Sequence, residues 1–155
     1  MKTFILRYAL FLLLLFTLFY AQTSSVSLFL NELQTGLTLY GLEYFLKPHQ
    51  LIGIDIIINP HYKIIINKAC NGMIPILILS ASILAYPSSV LRKIGYVLSG
   101  YVLFSVVNLL RILIVVHFVS GSGGSSNFYW SHDLLGNALM MVFGLSFFVL
   151  FIKSK

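Results

Sequence analysis

Between Ile94 and Val119 the chain carries a single formal charge, Arg111, in an otherwise apolar run. No other feature limits its possible folds so strongly. A helix needs about 20 mostly apolar residues, rising about 1.5 Å each, to cross the roughly 30 Å hydrocarbon layer of a bilayer. Further apolar runs cover residues 4–21, 71–86 and 131–152. Hydrophobic residues make up 59% of the 155 and charged residues 9%, against roughly a quarter charged in soluble proteins. An ordinary soluble domain is excluded. The pattern predicts an all-α integral membrane protein: one membrane domain over residues 1–155, with about four transmembrane helices and no separate globular domain.

The first run begins behind Lys2 and contains Arg7, as a signal peptide would. A cleavable signal needs small residues before the cut, and Phe19 and Tyr20 ahead of Ala21 disfavour one, so a retained anchor is expected. Residues 22–70 then lie outside. Within them Val26, Phe29, Leu30, Leu33, Leu37, Tyr40 and Tyr44 recur at spacings of three and four, which predicts an amphipathic helix on the interface or on the other helices. Two β-branched runs, 51–58 and 63–66, flank the turn-type residues Asn59, Pro60, His61 and Tyr62 and predict a short β-hairpin leading to Cys70. The second run is short for a crossing, so it is expected to thin the membrane or to sink among its neighbours. Ser120 to Ser126 reads as a flexible loop, and Ser131 as the N-cap of the last span.

Charge distribution sets the expected orientation. The net charge of +6 is spread among apolar runs rather than gathered into a nucleic-acid-binding patch. Lys2, Arg7, Arg92, Lys93, Lys153 and Lys155 collect on one side, while Glu32, Glu43, Asp55 and Asp133 fall on the other. By the positive-inside rule both termini are cytoplasmic, in a plasma (inner) membrane protein whose longer segments face outward.

On that topology Cys70 begins the second span and His132 the fourth, both at the outer interface. Arg111 stands about 17 residues above the start of its span, about 26 Å, and so near the same level. Each has a bland alternative: Arg111 can snorkel to headgroups, a lone cysteine can be a small packing residue, and a lone histidine can be interfacial. Their shared depth favours a site. A helix N-terminus with Lys68 nearby stabilises a thiolate at Cys70, and the dipole keeps His132 neutral and able to take a proton. Gly72 allows a close approach, Asn108 lies one turn below Arg111, and Asp133 reads as a helix-dipole partner. One cysteine permits no internal disulfide, and His49, His61 and His117 show no ligand spacing, so neither metal nor cofactor is implied. Thiolate, base and cation are the parts needed for acyl transfer through a thioester.

The segments Ala69-Cys70-Asn71-Gly72, Asn108-Leu109-Leu110-Arg111-Ile112 and His132-Asp133-Leu134-Leu135-Gly136 resemble, in order, the three signature motifs of the exosortase and archaeosortase membrane transpeptidases. The resemblance covers residues 36–144. It implies a cysteine-protease-like sorting enzyme with Cys70, Arg111 and His132 in the catalytic positions. Its partners would be exported proteins ending in a motif, a hydrophobic helix and a basic tail, together with a lipid or envelope acceptor. Asn71 departs from the usual small hydroxyl residue, which is expected to alter substrate choice, and the span count is that of a compact member. A non-enzymatic membrane scaffold or assembly factor using the amphipathic segment is the alternative. A transporter is disfavoured, because the polar residues sit at one interface.

Overall fold

The computed structural model describes residues 2–21, 24–68, 70–121 and 128–154. Helix α1 (Lys2–Phe19) is followed by α2 (Ser25–Glu43), strands β1 (Leu51–Ile52), β2 (Asp55–Asn59) and β3 (Tyr62–Ile65), then α3 (Met73–Ala85) and α4 (Val90–Gly121). A π-helical segment (Tyr129–Gly136) runs directly into α5 (Asn137–Lys153).

Local chemistry explains the ends of these elements. Ser24 caps α2, its Oγ accepting the N–H of Ser27 at 3.1 Å. Pro75 falls in the first turn of α3, where a missing N–H costs no helical bond. That helix stops at Ala85 because Tyr86, which precedes Pro87, is extended (φ −72°, ψ 138°). Lys93 donates to Leu84 O at 2.8 Å, and Arg92 donates to Phe151 O and, at 3.1 Å, to Ser154 Oγ. Two cations thereby satisfy the terminal carbonyls of α3 and α5.

Three helical stretches among the described residues are long and apolar enough to cross a membrane: α1, α4, and the π-helical segment with α5. The expected second span is instead a helix of 13 residues, about 20 Å long and so short of a full crossing. It is covered on most sides: Met73, Leu77 and Ala81 pack against Leu15 of α1, and Ile76, Leu79 and Ile83 against Phe104, Met140 and Phe151. The expected third span is longer than its apolar run, since Arg92 and Lys93 are already inside α4.

Two further expectations are corrected. The hairpin is a three-stranded antiparallel meander, because Leu51 and Ile52 pair with Ile56 and Asp55 as an added strand. Of the two placements expected for α2, packing of its apolar stripe on the other helices is corrected: Ser27, Asn31, Gln34, Thr38 and Leu42 are buried, while Val26, Phe29, Leu33, Leu37, Tyr40 and Tyr44 are exposed. An apolar surface costs nothing against lipid, so polar side chains gain by turning inward to meet one another. Toward the Gly121 end of α4 the sheet seats Ile56, Ile64 and Ile66 on Ile112, Val115, Val116 and Val119.

Candidate functional site

The site is built where the turn after β3, the upper part of α4 and the π-helical segment meet. Arg111 stands 21 residues beyond Val90, about 31 Å along α4. Cys70 lies in a tight turn, its N–H donating to Asn67 O at 2.9 Å. It does not begin α3 as expected. Gly72, the N-cap, has φ +79°, and that left-handed residue breaks the backbone so that Asn71 Oδ1 can accept the N–H of Met73 at 3.0 Å. A Cβ on Gly72 would stand 2.9 Å from Asn108 Cβ, so the close approach expected of Gly72 is to a side chain of α4. Asn108 Nδ2 in turn donates to Cys70 O at 2.9 Å and holds the turn against that helix.

His132 Nε2 faces the thiol, 4.0 Å from Cys70 Sγ. The same nitrogen is 3.0 Å from Arg111 Nη2. A guanidinium nitrogen can only donate, so Nε2 accepts and the ring proton sits on Nδ1, which donates to Asp133 Oδ1 at 2.8 Å. Asp133, read from the sequence as a dipole partner, therefore orients the imidazole. Phe128 stacks on the ring with centroids 4.8 Å apart and planes 11° from parallel.

Arg111 is buried and also donates from Nη2 to Asn137 Oδ1 at 3.3 Å. Its stem crosses Gly136, where a Cβ would come 2.7 Å from Nε. The π-helical winding, with hydrogen bonds between residues five apart, brings His132, Gly136 and Asn137 to one side, against Arg111. Ser131 is inside this winding rather than at its start, buried, with Oγ donating to Phe128 O at 3.3 Å; it is not the expected N-cap. Arg111 Nε and Asn108 Oδ1 are buried without a hydrogen-bond partner among the described residues. Each such group costs about 1–3 kcal/mol, a penalty placed beside the thiol.

Beneath the turn lies a polar cluster that sequence reasoning missed. Gln34 Nε2 donates to Asn71 O at 3.1 Å and to Ser105 Oγ at 3.2 Å, and Gln34 Oε1 accepts from Tyr101 OH. Asn71 Nδ2 reaches Thr35 Oγ1 at 3.3 Å. Fully buried, Asn71 ties the turn to α2 and does not line the cavity shared by Cys70, Arg111, His132, Ile64 and Ile66. The inward-turned face of α2 was the available signal, since glutamine, asparagine and threonine recur there at helical spacing. These polar residues extend along α4 from Asn108 to Tyr101, but they are paired with one another and hold structure.

His49, His61 and His117 do not join the site, and no three His, Cys, Asp or Glu gather as metal ligands among the described residues. The expected loop at 120–126 lies mostly outside the described residues; Ser120 and Gly121 are the last residues of α4. An apolar cavity of about 400 Å³ between α3, α4 and α5 is lined by Pro75, Ile78, Met140 and Gly144, and Arg111 and Asn137 also border it.

Sγ stands beside Nε2, whose one lone pair Arg111 Nη2 engages in this arrangement, and the guanidinium places a cation next to both. The family model describing transmembrane exosortases matches residues 2–152. Neither the curated proteins nor the solved structures contain a match.

Proposed function

The chain belongs to the transmembrane exosortase family, and from that premise we propose that it is a membrane-embedded cysteine transpeptidase that cleaves the C-terminal sorting signal of exported proteins. The observation carrying this reading is the meeting of Cys70, His132 and Arg111, three residues from distant segments, around one ring nitrogen.

In the first step Arg111 Nη2 releases the one lone pair of His132 Nε2 and turns toward the substrate, and Nε2 takes the thiol proton as Sγ attacks the scissile carbonyl carbon. The carbonyl oxygen becomes an oxyanion. Arg111 Nη1 has no hydrogen-bond partner among the described residues and is the donor available to it. Collapse breaks the C–N bond, and the leaving amine takes the proton back from Nε2. The acyl group is then a thioester on Cys70. An acceptor amine or water attacks it, His132 accepts the attacker's proton, and the thiol is restored. Asp133 keeps the ring in the Nδ1–H tautomer through both steps.

The partners in this reading are exported proteins carrying a motif, a hydrophobic helix and a basic tail, and a lipid or envelope acceptor. The apolar cavity bordered by Arg111 suits the hydrophobic part of such a tail. Both termini are cytoplasmic and the site faces outward from the plasma membrane, so a membrane-impermeant thiol reagent should label Cys70 in intact cells. Labelling only after permeabilisation would reverse the orientation.

The test of function compares the C-terminal peptides of exported proteins in cells with the wild-type chain and with Cys70→Ala. Retained tails in the variant support the transpeptidase. A scaffold working through the exposed stripe at Leu33 and Leu37 would tolerate Cys70→Ala and fail on Leu33→Asp with Leu37→Asp.

A further inference from the structure

The sheet ends beside the nucleophile with one edge unpaired. Strand order is β1-β2-β3, so β3 has a neighbour on one side only. Ile66, just past β3, donates its N–H to Ile54 O at 2.8 Å, toward β2. In an antiparallel pair successive residues alternate between facing the partner and facing away. With Ile64 paired to Ile56 and Ile65 to Asp55, the N–H and C=O of Lys63 and Ile65 point to the open side. Among the described residues no hydrogen bond meets those groups, and both side chains are exposed.

The strand that carries this edge borders the site, through the face that Ile64 and Ile66 turn toward α4. The cavity at Cys70 and His132 is lined by Ile64 and Ile66 and by no residue of β1 or β2. The chain then runs from Ile66 through Asn67 and Lys68 to the Cys70 turn. An open strand edge is an instability that proteins usually cover or blunt, and here it is kept a few residues from a thiol.

We propose that the open edge of β3 is the peptide-binding site: an extended segment of the client pairs with Lys63 and Ile65 through main-chain hydrogen bonds and is led to Cys70. The inference rests on the transpeptidase reading and adds how its substrate is held. Strand addition supplies affinity through the backbone and leaves selectivity to alternate side chains. The occupant is an extended peptide because only a strand offers donors and acceptors at the spacing of Lys63 and Ile65 N–H and C=O groups.

The test uses the full chain in its own cells, with the processing rate of exported C-termini as readout. Ile65→Pro removes one outward N–H and no ladder bond, a change edge strands tolerate. Ile65→Thr alters the side chain and keeps the N–H. Alkylation of Cys70 by iodoacetamide reports whether the site itself is intact. The proposal expects Ile65→Pro to slow processing roughly tenfold, about what one main-chain hydrogen bond contributes to binding. Alkylation stays unchanged, and Ile65→Thr, which keeps the N–H, retains most of the rate that Ile65→Pro loses. Normal processing by Ile65→Pro, with Cys70→Ala inactive, overturns the edge and leaves the transpeptidase standing. Conversion of a dimer to a monomer by Ile65→Pro assigns the edge to a second copy and overturns the proposal as well. Normal processing by Cys70→Ala removes both readings.

Discussion

Arg111 Nη2 lies 3.0 Å from His132 Nε2, so a fixed cation donates to the ring nitrogen that faces the Cys70 thiol. One guanidinium thereby holds the imidazole as an acceptor and places positive charge beside the sulfur, and its Nη1, without a hydrogen-bond partner among the described residues, is the donor the proposed mechanism assigns to the oxyanion. The same nitrogen also binds Asn137 Oδ1 at 3.3 Å.

Arg111→Lys keeps the charge and loses the planar fork. A single ammonium cannot hold His132 and Asn137 while also meeting an oxyanion in the same plane. The processing rate should fall about 10²–10³-fold, the range for loss of one oxyanion donor, with the protein still folded. A rate near wild type would mean that charge alone suffices.

Asp133→Asn leaves the shape of the site and removes the carboxylate that fixes the Nδ1–H tautomer. A buried triad aspartate contributes about 10⁴ in turnover. Asp133 is 48% exposed and water can replace part of its hydrogen bonding, so a smaller loss of about 10–100-fold is expected. Asp133→Glu should restore more activity than Asp133→Asn. Equal rates in the two variants would reduce Asp133 to a dipole partner.

Gly136→Ala introduces a Cβ 2.7 Å from Arg111 Nε. Overpacking of that kind costs about 1–3 kcal/mol, and relief comes from displacing the guanidinium. Thermal stability should fall modestly while processing is largely lost. Loss of stability with normal processing would show that Arg111 need not lie across Gly136.

Cys70, Arg111 and His132, grouped by depth in the sequence, lie close together, because helix rise converts residue count into height with little ambiguity. Which face of a helix turns inward is not legible in the same way. Spacing marked two faces on α2, and only packing shows that Gln34 and Asn31 go in while Leu33 and Leu37 go out. The π-helical winding escaped for a related reason: a one-residue change in hydrogen-bond register leaves no mark in an apolar pattern, yet it is what turns Gly136 and Asn137 toward Arg111. The short α3 was visible as a short run, and sinking among its neighbours was one of the two placements expected of it; that the neighbours are α1 and α5 was not legible.

Asn71→Ser tests the departure from the family's usual residue. A serine hydroxyl can still accept the N–H of Met73 and cannot span to Thr35 and Asn31 of α2. The expected result is lower stability, by about 1 kcal/mol for the lost hydrogen bonding, with client selection unchanged, because Asn71 does not line the cavity at Cys70. A changed set of processed proteins would give Asn71 a role in recognition.

The most direct measurement intercepts the thioester. Neutral hydroxylamine added to living cells attacks a thioester and leaves the acyl group as a hydroxamate, which mass spectrometry reads at the new C-terminus. The account predicts client proteins ending in a hydroxamate at the cleavage position, and none in Cys70→Ala cells. Client termini cleaved normally in Cys70→Ala cells, with no hydroxamate in the wild type, would contradict Cys70 as the nucleophile.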